Sequence, residues 1–146
     1  MDRENIGCSM AKLIYIDTNV YLDLLIGRHS GLMPNSEIAC NIIERALKCE
    51  FHITASDFVL LEIEKFVPKE AADSLFNSLT NAGKVTFELA TSEDKAKARL
   101  LDKNVHFGDC LHFVIAERCN VEYFVTNDKH FEIFKSKVKV VKPNLL

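Results

Sequence analysis

No apolar run in the sequence approaches the roughly 20 residues that span a bilayer, and none reads as a membrane segment. Residues Met1 to Lys12 are polar and mixed in charge. They lack the apolar stretch of a secretory signal, so the expected compartment is the cytoplasm. No Cys-x-x-Cys pair occurs, and the five cysteines (Cys8, Cys40, Cys49, Cys110, Cys119) are odd in number and widely spaced. That pattern indicates neither a zinc knuckle nor a disulfide framework; free, largely buried thiols are expected. Positive charge is not in excess either: the net charge is −3 and the pI about 5.9. This argues against a surface that grips nucleic acid over its whole area. It leaves room for a nuclease, because carboxylates neutralised by metal would themselves depress the formal charge. Internal repeats, low-complexity tracts and linkers are absent.

What is present suits one globular domain: 146 residues, 48% apolar and 27% charged. Met10 stands just before the first apolar run, so residues 1–12 read as an N-terminal extension and 13–146 as the single domain. Hydrophobic periodicity alternates between short β-like runs (13–16, 51–55, 84–90, 123–126, 138–141) and longer helical stripes. The alternation predicts an α/β domain with a parallel sheet. Ser56 or Asp57 is expected to cap one helix and Ser92 another. Gly83 is placed to close the helix over 69–82 in a left-handed cap.

The acidic residues fall at particular addresses. Asp17 follows the strand 13–16, and Asp128 follows the strand 123–126. In an open parallel sheet the carboxyl ends of the strands form the ligand crevice, so two independent strands deliver these carboxylates to common space. Asp109 starts a helix, and Glu62 lies roughly 9 Å along its helix from the Ser56 cap, within reach of the crevice. Taken singly, each Asp is as well explained as a helix N-cap, and Glu62 as a solvated surface acid. Glu64, two positions on, rivals Glu62. Both strand-end acids, however, have small polar neighbours: Thr18 and Asn19 beside one, Thr126 and Asn127 beside the other. Four carboxylates sharing a crevice would repel unless neutralised. Hard oxygen ligands suit Mg²⁺ or Mn²⁺, ions that activate water and hold a phosphodiester.

At these residues the sequence resembles the PIN-domain family, including the VapC toxin ribonucleases. The matching pieces are Ile14-Tyr15-Ile16-Asp17-Thr18-Asn19, Ser56 to Glu62, Asp109 to Ala116, and Tyr123 to Phe131 with its Thr126-Asn127-Asp128. They occur in the family's order. The resemblance implies a three-layer α/β/α sandwich around a mostly parallel sheet of about five strands. It implies Mg²⁺- or Mn²⁺-dependent hydrolysis of RNA, with Asp17, Glu62, Asp109 and Asp128 as metal and catalytic positions and Asn19 and Thr126 in support. A toxin member would pair with a small antitoxin protein and form a homodimer; a processing nuclease would need neither, and a silent PIN-like module would only bind. The basic candidates Lys12, Arg28, Lys65, Lys103 and Lys129 are scattered and mark no RNA path. Among the histidines His106, His112 and His130, the second lies in an apolar helix and reads first as a satisfied core residue. A phosphoacceptor receiver or a dehalogenase-like phosphatase is the rival outside the family, but the phosphatase would need Asp-x-Asp where this chain has Asp17-Thr18-Asn19.

Overall fold

The computed structural model describes residues 10–27, 34–134 and 136–146; residues 1–9 of the expected extension, with Cys8, and Arg28 lie outside them. Five strands form one parallel sheet in the order β3-β2-β1-β4-β5. They are β1 (Lys12–Ile16), β2 (Phe51–Ser56), β3 (Val85–Glu88), β4 (Tyr123–Val125) and β5 (Lys139–Val141). Successive side chains of a strand point to opposite faces, yet Ile14, Tyr15 and Ile16 are all buried. Both faces of the central strand are therefore covered, as a parallel sheet requires.

The covering helices are α1 (Thr18–Leu22), α2 (Pro34–Leu47), α3 (Asp57–Ile63), α4 (Lys69–Asn81), α5 (Ser92–Leu101) and α6 (Phe107–Arg118). Helix α1 runs on into a π-helical turn, Asp23–Gly27. Short 3₁₀ turns, Lys129–Ile133 and Pro143–Leu145, follow β4 and β5. None of the described helices is long and apolar enough to cross a membrane.

Local chemistry explains several boundaries. Ser56 ends β2 and caps α3, accepting from the Val59 N–H at 3.2 Å. Gly83 has φ +70°, the left-handed conformation expected after α4. The expected Ser92 cap is displaced by one residue: Thr91 is the N-cap, and it exchanges side-chain and backbone hydrogen bonds with Asp94 in a capping box. Ser92 loses because only Thr91 has its acidic partner three residues on. Arg118 of α6 donates to the Asp94 carboxylate at 2.9 Å, tying α5 to α6.

A stack of rings fills the space beneath β1 and β4. Tyr15 lies parallel to Phe124 with centroids 5.5 Å apart, and Phe124 packs on Phe131 at 4.6 Å. Each such pair contributes about 1 kcal/mol beyond its buried area. Cys40, Cys110 and Cys119 are free thiols as expected; Cys110 is buried and Cys119 half-buried, but Cys40 is exposed, against the expectation of burial.

Candidate active site

The backbone ladder continues beyond the strands: the Asp17 N–H donates to the Val125 carbonyl of β4 at 2.9 Å, and the Thr126 N–H to the Val141 carbonyl of β5 at 3.0 Å. This continued ladder sets Asp17 and Thr126 side by side. Thr126 Oγ1 donates to Asp17 Oδ2 at 2.8 Å, and the same oxygen accepts from the Asp128 N–H at 3.0 Å. One hydroxyl thus links both strand-end acids. Asp17 is buried although it stands at the N-cap of α1, and its side chain caps nothing. The capping role that would have explained it is unfilled.

Glu62 turns inward from α3. Its Oε1 accepts from Thr18 Oγ1 at 2.7 Å and pairs with His112 Nε2. Glu64 is exposed at the end of the same helix, so of the two rivals Glu62 is the one in the crevice. His112 has no exposed surface, and its Nδ1 lies 2.6 Å from the Tyr15 hydroxyl, which in turn meets Ser56 Oγ at 2.8 Å. The ring packs on Phe58 at 4.8 Å. The expectation of a satisfied core histidine is met, and its partner is an acid of the crevice. Gly108 explains how α6 approaches so closely: a Cβ there would stand 3.3 Å from Phe58 Cζ and 3.6 Å from Glu62 Oε2.

Asp109 is the third residue of α6, in its first turn rather than at its cap, which is His106. It is half-buried. Asp128 caps the 3₁₀ turn after β4, its Oδ1 accepting from the His130 N–H at 2.8 Å and facing His130 Nδ1 at 2.9 Å. Asn19 is exposed on α1; its neighbour Thr18 makes the contact to Glu62. Lys12, Lys65, Lys103 and Lys129 are exposed and stand apart from these bonds.

Electrostatics record the convergence. Burial, opposed by His112 and the Thr126 hydroxyl and reinforced by the charges of Asp109 and Glu62, lifts the Asp17 carboxyl to about 6. Burial also raises Asp109, with the charges of Asp128 and Glu62 adding to it. At Glu62 burial pushes upward, but the His112 hydrogen bond and charge and the Thr18 hydroxyl outweigh it, holding the carboxyl below its ordinary value. Asp109 is therefore sensed by, or senses, each of the other three acids. Among the described residues no three His, Cys, Asp or Glu side chains stand as a ready-made ion cage.

Sequence reasoning gave Tyr15 and Ser56 no part in the site and did not single out Asp23. Asp23 is buried, and Asn127 Nδ2 donates to its Oδ2 at 3.3 Å. Tyr15 looked like core, which it is, and only the distant position of His112 reveals what its hydroxyl does.

Asp17 and Asp128, just past the carboxyl ends of β1 and β4, with Glu62 of α3 and Asp109 of α6 in electrostatic reach, define an α/β domain that gathers acids at one edge of its parallel sheet. The PIN-domain family model matches residues 14–137, and the chain belongs to that family. A search of curated protein sequences finds no match. Solved structures share the fold at low identity. VapBC2 from Rickettsia felis, bound to a DNA fragment from their promoter, is 16% identical with a TM-score of 0.62, over 89% of this chain and 98% of that one. VapC20 of Mycobacterium tuberculosis, described as a sarcin–ricin loop cleaving toxin, is 15% identical with a TM-score of 0.62, over 82% and 92%. A toxin–antitoxin complex from Klebsiella pneumoniae gives 15%, 0.62, and 91% and 99%.

Proposed function

We propose that the chain is a divalent-metal-dependent endoribonuclease of the cytoplasm, with Asp17, Glu62, Asp109 and Asp128 as the acids that hold Mg²⁺ or Mn²⁺. The observation that carries this is the way each acid is tethered. Asp17 is held through Oδ2, Glu62 through Oε1 and Asp128 through Oδ1. Their second oxygens, and both of Asp109, accept no hydrogen bond from the described residues. Three carboxylates fixed by one oxygen and open at the other, beside a fourth with both open, are a donor set that a hard cation satisfies. Mg²⁺ in particular binds through a few carboxylates and keeps several waters, so a loosely gathered group fits it better than a tight cage.

The bound ion supplies a water of lowered pKa and charge neutralisation for the phosphodiester. The chain's own residues orient the acids. Thr126 fixes Asp17 and Asp128 together, while Thr18 and His112 fix Glu62. Such outer partners commonly matter nearly as much as the ligands. The buried Ser56–Tyr15–His112 line anchors this arrangement to the core, so that Glu62 is held by a rigid element rather than by a loop. Hydrolysis in this setting leaves a 5′-phosphate and a 3′-hydroxyl.

RNA as substrate is supported by the neighbour described as a sarcin–ricin loop cleaving toxin, and a small antitoxin protein as partner by the neighbour described as a toxin–antitoxin complex. A homodimer is the matching assembly. The test compares RNA cleavage by the wild type in Mn²⁺ and in EDTA with that of Asp17→Asn and Asp128→Asn. Chelation and both substitutions should abolish cleavage while circular dichroism stays native. Cleavage that survives all three would remove the acids from the mechanism.

A further inference from the structure

Beside the crevice lies a cavity of about 350 Å³ that the acids do not occupy. Its floor is built from Val20 and Pro143, both buried, with the buried Asp23 carboxylate among them. Its rim carries three carboxamides, Asn35, Asn127 and Asn144, and one ammonium, Lys142, all exposed. An apolar floor with a few convergent polar groups at the edge is the usual form of a small-molecule subsite. The volume admits one nucleoside and little more.

The position ties this cavity to the cutting site. Asn127 stands between Thr126, which holds Asp17, and Asp128. Asp23 lies six residues beyond Asp17, on the order of 9 Å along the helix that begins there. A strand whose phosphodiester rests at the acids therefore has a neighbouring nucleotide within reach of the cavity.

We propose that this cavity is the subsite for an unpaired nucleobase adjacent to the bond that is cut. The proposal rests on the ribonuclease reading above and adds to it a source of sequence preference. A carboxamide offers both a donor and an acceptor, the combination that reads the edge of a base, and unpaired bases expose those edges in single-stranded RNA. Asp23 Oδ2 accepts a hydrogen bond from Asn127 Nδ2 and so orients that amide, presenting its carbonyl oxygen as the acceptor. Lys142 supplies a charge for phosphate, which carries no sequence information.

The experiment uses the non-cleaving Asp17→Asn protein in Mg²⁺ buffer and fluorescently labelled single-stranded RNA hexamers of A, C, G and U. One base should bind about tenfold more tightly than the weakest, the size of one well-made amide–base pair. Adding Asn35→Ala or Asn144→Ala, both exposed, should shrink that difference to about twofold. Adding Lys142→Ala should weaken all four hexamers alike. Binding of RNA with no base preference, or with a preference that survives both Asn substitutions, overturns the subsite and leaves the nuclease reading standing. Failure of every hexamer to bind overturns both.

Discussion

Replacing Asp17 by Asn should stabilise the metal-free protein near neutral pH and make almost no difference near pH 3. The carboxyl of Asp17 is raised from 3.8 to about 6 by burial. The folded state therefore keeps this proton to higher pH than the unfolded chain does. Stability contributed by the protonated form is complete below pH 3.8, falls as the pH rises through about 6, and stays lost above it. The gap corresponds to about 3 kcal/mol, undiluted by solvent because Asp17 is 3% exposed. Asn is neutral throughout, and its carbonyl can still accept the Thr126 hydroxyl. In EDTA at pH 7 the variant should melt on the order of 10 °C higher, and the difference should shrink to nothing on acidification. Mn²⁺ at about 1,000 times its Kd should reverse the order, since it adds about 4.1 kcal/mol to the state that binds it, more than the carboxylate's burial costs. Thermal melts of both proteins across pH 3 to 8 read all three effects. A variant no more stable than the wild type at pH 7, or a difference that ignores pH, would refute the reasoning.

Thr126→Val removes the hydroxyl that donates to Asp17 and accepts from the Asp128 N–H; it should cost about 1–3 kcal/mol in urea unfolding. The same change should move the NMR titration midpoint of Asp17 upward, because that hydrogen bond holds it down. His112→Phe keeps a ring against Phe58 and Tyr15 but severs the contact to Glu62. Mn²⁺ affinity measured by calorimetry should fall about 10- to 100-fold with the fold retained, and an unchanged affinity would show that Glu62 needs no such support.

Much of this was legible before the fold was seen, and for identifiable reasons. The strands announced themselves because a sheet buried on both faces demands continuous apolar runs such as Leu13 to Ile16. The strand-end acids stood out because chain chemistry changes abruptly there, from Ile16 to Asp17 and from Val125 to Thr126. Helix starts depend on single side chains and were less secure: Thr91 took the cap from Ser92, and Asp109 moved from the start of α6 to its first turn. What stayed hidden depends on distance. Asp23 sits between Leu22 and Leu24 like any acid on an amphipathic surface, and it is buried only in a turn packed near the C-terminal residues. The chain Ser56–Tyr15–His112 joins positions 41 and 97 residues apart, which no local pattern encodes.

The bond between Asp17 and Thr126 spans 109 residues, and the two central strands that carry them pair across nearly the whole chain. At about 5–20 residues per second, translation separates the two halves of the crevice by roughly 5–20 s. A nascent chain thus displays its first acid long before the hydroxyl that orients it has been made. The crevice can close only once the segment carrying Thr126 and Asp128 has left the ribosome, so its earlier acids wait, unoriented, on a hydroxyl made 109 residues later.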